Sequence, residues 1–471
     1  MYIPKTKQMT LIKSISGIRG TIGGTVHENL TPLDAVRFAS AYGAWLLERN
    51  GPGKKCRVVI GRDARISGKM ISSLVANTLV GLGIDVIDFG LSTTPTVEVL
   101  VTLEQADGGV IVTASHNPRQ WNALKLLNER GEFLNSADGS RILELAAADE
   151  YRYAEVDDLG KYSKKMDGID RHVSEVLSLE LVDADAIRKA GFKVVVDAVN
   201  STGGLAIPKL LEALGVDYVP LYCKPNGEFP HNPEPLPAHL TEISDLVVKE
   251  KADLGIVVDP DVDRLAIVNE DGSMFGEEYT LVACADYVLS KTPGDTVSNL
   301  SSSRALRDVT RKHGGTYEAS AVGEVNVVEL MKKNKVVIGG EGNGGVIYPE
   351  SHYGRDALVG VALFLTHLAE KKISCKSLRD SYPAYFMSKN KIELTPAIDV
   401  DLILEEMAGR YAGEEISTLD GVKIDFEQEW VHLRKSNTEP IIRIYTESGT
   451  QKAADELATR VMEEIREIAG L

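Results

Sequence analysis

Six short runs constrain this chain most: CRVVIGRD (56–63), IDVIDFG (84–90), GGVIVTAS (108–115), KVVVDAVN (193–200), LGIVVDPD (254–261) and KVVIGGEG (335–342). Each is almost continuously apolar, rich in β-branched residues, and ends in Gly, Asp, Asn or Ser. Successive side chains of a strand point to opposite faces, so an apolar run without alternation is buried on both. Helical patterns such as Pro32–Glu48 and Ser67–Leu82 lie between the runs. This alternation predicts βαβ units around mostly parallel sheets. Open sheets of that kind bind ligands beyond the carboxyl ends of their strands. The pattern alone therefore puts Ser115, Asp259 and Glu341 at candidate site positions.

At about 150 residues per domain, 471 residues suggest roughly three domains, with two and four also open. Asp149–Arg171 is charge-dense and weakly periodic, as a boundary would be. Around Ser381–Thr395 the α/β alternation stops, and the chain finishes in the amphipathic pattern AADELATRVMEEIREIAG. With 43% hydrophobic and 26% charged residues, the chain can bury several cores. A net charge of −17 excludes a global attraction for nucleic acid or an anionic membrane. An anionic ligand must then be gathered by clustered Arg and Lys. No run reaches the about 18 apolar residues of a membrane span. The start, MYIPKTKQMTLIKSISG, lacks the apolar core of a secretory signal. Cys56, Cys223, Cys284 and Cys375 lie far apart without a C-x-x-C pair, which suits reduced thiols in a cytoplasmic protein better than a disulfide framework or a cysteine zinc site.

Five segments carry chemistry. In TASHNP (113–118), Pro118 stops a simple continuation of the strand. Ser115 is then either a nucleophilic or phosphorylated serine at a strand end, or a turn serine bonded to its own backbone. DPDVDR (259–264) spaces Asp259, Asp261 and Asp263 so that a curved backbone converges three hard oxygen ligands on one cation, a set that suits Mg²⁺. Without a cation the carboxylates repel one another. An EF-hand is excluded, because Arg264 stands sixth, where the calcium loop needs Gly, and the flanks LGIVV and LAIV are strand-like. LRKSNTEPIIRIYTES (433–448) brackets Ser436, Asn437 and Thr438 with Arg434, Lys435 and Arg443. Such a segment is a dianionic phosphate clamp or a polar turn before the strand IIRIY. GGEGNGG (339–345) is neither a dinucleotide fingerprint nor a Walker A loop. Its Glu341 can accept hydrogen bonds from sugar hydroxyls, or the segment is a plain turn. SISGIRG (14–20) and GRDAR (61–65) add Arg19, Arg62 and Arg65, each a phosphate ligand or a surface arginine.

Taken together and in this order, the segments resemble the α-D-phosphohexomutase superfamily, which includes phosphoglucomutase, phosphomannomutase and phosphoglucosamine mutase. The resemblance spans essentially the whole chain beyond the first ten residues. It implies an α/β fold of four domains around a central cleft, three of them similar α/β units with mixed, mostly parallel sheets and the last a smaller α+β domain. Expected extents are 1–155 with the serine loop, 156–272 with the metal loop, 273–380 with the sugar loop and 381–471 with the phosphate loop. By resemblance Ser115 is the phosphoserine, and Asp259, Asp261, Asp263 and the Ser115 phosphate hold Mg²⁺. His116, Lys125 and Arg19 join Ser115 in catalysis. Glu341, Asn343 and Arg264 contact the sugar phosphate. Arg434, Ser436, Asn437, Thr438 and Arg443 grip the phosphate that is not being transferred. The chain departs from the family pattern at Ala123, where the serine loop usually has Gly, and at Asn343 and Gly345, where the sugar loop usually has Ser and His.

The implied reaction moves the phosphoryl group of phospho-Ser115 to a sugar hydroxyl, turns the resulting hexose bisphosphate over, and returns the other phosphoryl group to Ser115. Mg²⁺, Arg19 and Lys125 neutralise the charge of the transfer, and Lys125 doubles as general base if the closed site lowers its pKa. The expected substrate is a hexose or hexosamine phosphate, glucosamine phosphate first and glucose or mannose phosphate second. No nucleic acid or membrane partner is expected, and both monomer and homodimer are open. A non-catalytic sugar-phosphate sensor and a phosphatase are the rival readings. His352 either folds back to replace the missing loop histidine or packs near Tyr353.

Overall fold

The structure is a computed structural model that describes residues 9–14, 17–51, 53–393, 399–435 and 441–470. The chain forms two compact units: residues 1–280 with 344–376, and residues 281–343 with 377–471.

The first unit contains a seven-stranded sheet in the spatial order Ile12–Ser14, Gly17–Thr21, Trp121–Leu127, Gly108–Val112, Arg57–Arg62, Asp85–Leu91 and Tyr162–Lys164. Its last four strands run parallel, and Trp121–Leu127 returns antiparallel beside Gly108–Val112. Successive residues of the central strand divide between two cores. Val58 and Ile60 pack with Phe38, Trp45, Ile71 and Leu79, whereas Val59 packs with Val97, Leu100 and Val101. Burial on both faces is what the unbroken apolar runs predict, and each fully buried aliphatic side chain contributes about 1.5–3 kcal/mol. The helix Pro32–Asn50 begins with a capping box between Thr31 and Asp34. The first sheet takes its last strand from beyond residue 155, inside the charge-dense segment.

The second sheet has the order Leu265–Asn269, Leu254–Val258, Lys193–Asp197 and Asp217–Leu221. Leu254–Val258 and Leu265–Asn269 pair antiparallel, so DPDVDR is the turn between them, with Val262 in the left-handed region at φ 66°.

In the second unit, Tyr317–Ser320, Thr296–Asn299 and Ile338–Glu341 pair in parallel, leaving Glu341 at a strand end. The C-terminal segment forms an antiparallel sheet in the order Phe386–Glu393, Ile441–Ser448, Trp430–Lys435, Val422–Asp425 and Glu415–Ser417. Its core joins Val431, Leu433, Ile442 and Ile444 to Leu457, Val461 and Ile465 of the helix Gln451–Ala469. These are the α/β units and the terminal α+β domain that the sequence predicts.

Gly108 opens the strand that leads to Ser115. A Cβ there would lie 2.1 Å from the Tyr42 hydroxyl, which bonds the Leu127 carbonyl at 2.7 Å. Gly108→Ala should therefore destabilise the first unit by about 1–3 kcal/mol, as overpacking does. Denaturant unfolding of Gly108→Ala and of Gly108→Ala/Tyr42→Phe checks this. The double variant should recover part of the loss, because it removes the nearest clashing atom.

Candidate active site

In the first unit, loops at the carboxyl ends of five strands converge. Ser201 and Thr202 hydroxyls, following Lys193–Asp197, donate to the Pro260 carbonyl at 2.6 and 3.0 Å. The Ala64 amide, following Arg57–Arg62, donates to Ser201 Oγ at 3.3 Å. The Thr94 amide, following Asp85–Leu91, donates to the Asp261 carbonyl at 2.8 Å. Gly108–Val112 leads to Ser115, and Leu254–Val258 to Asp259.

Ser115 is non-glycine yet sits at φ 47°, a conformation that costs free energy and must be held from outside. The buried Arg65 holds it. Its Nη2 donates to the carbonyls of Ser115 and Asn117, its Nη1 to those of Pro118 and Trp121, and its Nε to Asp63. All five guanidinium N–H groups are thereby used. Asp63 also accepts from Thr113 Oγ1 at 2.7 Å, and Thr113 Oγ1 accepts from the Ser115 amide at 3.0 Å. Arg65 is thus neither a surface arginine nor a phosphate ligand. Arg62 donates to the Asp63 carbonyl at 3.0 Å. With the loop fixed, Ser115 Oγ donates to Asp259 Oδ2 at 2.7 Å and lies 3.3 Å from His116 Nδ1.

Asp259, Asp261 and Asp263 are fully buried and bring carboxylate oxygens within 4.8 Å of one another. Asp259 Oδ1 accepts the amides of Asp263 and Arg264, both at 3.2 Å. Asp261 Oδ2 accepts from Thr94 Oγ1 at 2.6 Å and Lys125 Nζ at 2.7 Å. Asp263 Oδ2 accepts from Lys125 at 3.2 Å and Arg355 Nη2 at 2.7 Å. Burial, then the charges of Asp263 and Asp261, pushes Asp259 well above the usual carboxylate range. Burial also opposes ionisation of Asp261, but Lys125 outweighs it and holds that carboxyl below its usual range. Asp261 Oδ1 and Asp263 Oδ1 are buried without a hydrogen-bond partner. Two orphaned oxygens beside a third carboxylate are a hard donor set for a divalent cation.

Burial, followed by the positive charges of Arg264, Arg355 and Arg19, holds His116 well below its ordinary pKa. Three guanidinium groups thus act electrostatically on this ring beside Ser115. The lowering that a base role for Lys125 requires is not found. Burial lowers its pKa, but the charges of Asp261 and Asp263 more than compensate and raise it. Lys125 is an ammonium in place, not a free base. Arg264 also reaches Glu234 at 3.3 Å.

In the second unit, Glu341 accepts from Asn299 at 2.8 Å and the Gly323 amide at 3.2 Å on one oxygen, and from Asn343 at 3.4 Å on the other. Arg434 and Arg443 are cross-strand partners, and Lys391 is the partner of Arg443 on the other side. Arg434 Nε also pairs with Asp420 at 2.8 Å. Ser436, Asn437 and Thr438 lie outside the described residues.

The sequence reading missed Thr94 and Arg355. Thr94 carries a signal in LSTTPT, a helix cap directly after a strand, where Thr93 accepts the Thr96 amide. Arg355 carries none. It arrives because the Asp356 amide bonds the Val346 carbonyl and the Ala357 amide bonds that of Val262. His352 pairs with Asp356 at 3.2 Å and Glu98 at 3.4 Å.

Models of phosphoglucomutase/phosphomannomutase α/β/α domains I, II and III match residues 11–152, 170–272 and 276–385, and that of the C-terminal domain matches 391–464. The chain is 34% identical over 454 residues to a phosphoglucomutase/phosphomannomutase of Thermococcus kodakarensis, covering 94% of this chain and 98% of that one. It is 32% identical over 462 residues to a probable phosphoglucosamine mutase of Methanopyrus kandleri, covering 96% and 98%. A putative phosphomannomutase of Thermus thermophilus has a similar structure, with a TM-score of 0.82, 25% identity and coverage of 98% and 99%. The chain belongs to the phosphoglucomutase/phosphomannomutase family, within the α-D-phosphohexomutase superfamily, and is a phosphohexomutase.

Proposed function

We propose that this phosphohexomutase interconverts the 6- and 1-phosphates of glucosamine through a phosphorylated Ser115 and a bisphosphorylated sugar. The observation that carries the mechanism is the 2.7 Å contact between Ser115 Oγ and one member of the buried aspartate triad. The choice of sugar leans on the Methanopyrus kandleri relative, a probable phosphoglucosamine mutase. The Thermococcus kodakarensis relative favours glucose and mannose phosphates as the second reading. Four free cysteines are the ground for placing the enzyme in the cytoplasm.

In the first transfer the bond from phosphorus to Ser115 Oγ breaks and a bond from phosphorus to a sugar hydroxyl oxygen forms. His116, 3.3 Å from Ser115 Oγ, is the group placed to take the hydroxyl proton. Asp259, Asp261, Asp263 and the Ser115 phosphate would hold Mg²⁺, which when bound neutralises charge on the transferring phosphoryl oxygens. Lys125 and Arg355 fix the orientation of Asp261 and Asp263, and Arg19 and Arg264 add positive charge beside Ser115. In the second transfer the sugar has turned over: the bond from phosphorus to the oxygen at its other end breaks, a bond from phosphorus to Ser115 Oγ forms, and the proton of the serine hydroxyl ends on the released sugar oxygen. Glu341, steadied by Asn299 and Asn343, accepts from sugar hydroxyls. Arg434 and Arg443, with Ser436, Asn437 and Thr438, grip the phosphate that stays. Directly opposed like charges destabilise a sheet, and an anion lying over Arg434, Arg443 and Lys391 relieves this.

Mutase assays on the 1-phosphates of glucosamine, glucose and mannose test the substrate, and a kcat/KM highest for mannose or glucose phosphate would replace it. Ser115→Ala should keep its melting temperature, lose nearly all turnover and lack the phosphate that mass spectrometry should detect on the parent; undiminished turnover would refute the phosphoserine. Chelator should abolish turnover, and added Mg²⁺ should restore it. Asp261→Asn should demand far more Mg²⁺ for half-maximal rate, whereas full activity in chelator would exclude the metal. Arg443→Ala should weaken sugar phosphate binding by about 1.5–3 kcal/mol, roughly ten- to hundredfold in KM. An unchanged KM with lowered thermal stability would make Arg443 a structural strand residue.

A further inference from the structure

We propose that His172, His352 and Asp356 form a second metal site in the first unit, sharing no ligand with the aspartate triad and built for a borderline cation of the zinc class. One ligand atom from each of the three lies within 4.8 Å of the others. His172 Nε2 is 2.8 Å and His352 Nε2 is 3.2 Å from the same oxygen, Asp356 Oδ2. Two imidazoles and a carboxylate are a donor set for zinc, unlike the all-oxygen set of the triad. Bonds of about 2.0–2.1 Å to a tetrahedral zinc set the donors roughly 3.3 Å apart, so both imidazoles draw back slightly from Asp356 Oδ2 to admit the ion.

The surroundings are those of ligating histidines, whose second ring nitrogen is normally held by an acceptor that sets the tautomer. His172 Nδ1 has such a contact, 3.0 Å from Thr96 Oγ1, while His352 Nδ1 lies 3.4 Å from Glu98 Oε2 without yet forming a hydrogen bond. Thr96 Oγ1 in turn contacts Thr93 Oγ1 at 2.7 Å, so it can accept from His172 while donating onward. Asp356 divides its two oxygens in the same way. Oδ1 caps the helix Ala357–Lys371 by accepting the amides of Leu358 and Val359, and Oδ2 alone faces the imidazoles. His172 and Asp356 are buried, and the partly exposed His352 provides an entry path. On binding, each imidazole gives up its Nε2 proton or carries it on Nδ1 instead, where Thr96 or Glu98 accepts it. The site pins two segments that reach the triad: the helix Thr94–Leu103, whose Thr94 bonds Asp261, and the loop whose Arg355 bonds Asp263.

The test is equilibrium dialysis of the full chain against micromolar Zn²⁺ with millimolar Mg²⁺ present, followed by metal analysis and by the visible absorption of the Co²⁺-loaded protein. The parent and Asp261→Asn should each retain one zinc per chain and show tetrahedral Co²⁺ bands. His352→Ala and the more conservative His172→Gln should lose both signals. Glu98→Gln, which keeps all three ligands, should weaken zinc binding about 10–100-fold. A parent that retains no zinc would reduce the cluster to a hydrogen-bonded network only. Zinc lost in Asp261→Asn but kept in His352→Ala would place it on the triad. Either result overturns the proposal.

Discussion

Three carboxylates buried within one turn cannot all ionise unless positive charge lies against them, and the first unit is organised around that constraint. Asp259, Asp261 and Asp263 are fully buried. Lys125 comes from the strand Trp121–Leu127, and Arg355 from the segment preceding the helix Ala357–Lys371. Removing one partner of such a buried pair typically costs about 3–5 kcal/mol, because the remaining charge is left uncompensated. Two cations for three carboxylates leave a deficit. It appears as the raised pKa of Asp259 and as the two orphaned oxygens, Asp261 Oδ1 and Asp263 Oδ1. A divalent cation answers both at once, which is why the same residues that strain the fold without it serve a phosphoryl-transfer enzyme with it.

The second constraint is backbone conformation at Ser115. A left-handed serine needs its carbonyl and amide tied down, and Arg65 and Thr113 do this from the ends of neighbouring parallel strands. The parallel arrangement matters here. It places the residues after Arg57–Arg62 and Gly108–Val112 at the same edge, so a guanidinium from one loop can close the other. Once the loop is closed, Ser115 Oγ has little freedom and points at Asp259.

Much of this was legible in the sequence because it depends on local pattern. The six apolar runs all become strands, and Pro32–Glu48 and Ser67–Leu82 fall on the helices Pro32–Asn50 and Gly68–Gly81. Ser115 and the aspartates were legible because each sits at the end of such a run. Arg65 was misread because GRDAR looks like a charged turn, and only the packing of Ser115–Trp121 over it shows the four carbonyls that join Asp63 as its acceptors. Arg355 was invisible because its approach depends on backbone bonds from Asp356 to Val346 and from Ala357 to Val262, which no local pattern encodes. For Lys125 the charge-neutralising reading and the base reading were both open in the sequence. Burial alone argues for a lowered pKa, and the two carboxylates that reverse it come from another sheet.

The net charge of −17 makes an anionic substrate look unwelcome, yet the field that a phosphate meets is local. At physiological ionic strength the screening length is about 8 Å, so carboxylates scattered over the surface contribute little at the site. Around His116 the charges that count are Arg264, Arg355 and Arg19, all positive, with Asp263 the opposing one. In the C-terminal sheet, Lys391, Arg443 and Arg434 occupy neighbouring positions on three adjacent strands. Each cluster costs stability through like-charge repulsion, and an antiparallel register is an unfavourable place to set two arginines opposite one another. Asp420, 2.8 Å from Arg434 Nε, offsets part of that repulsion.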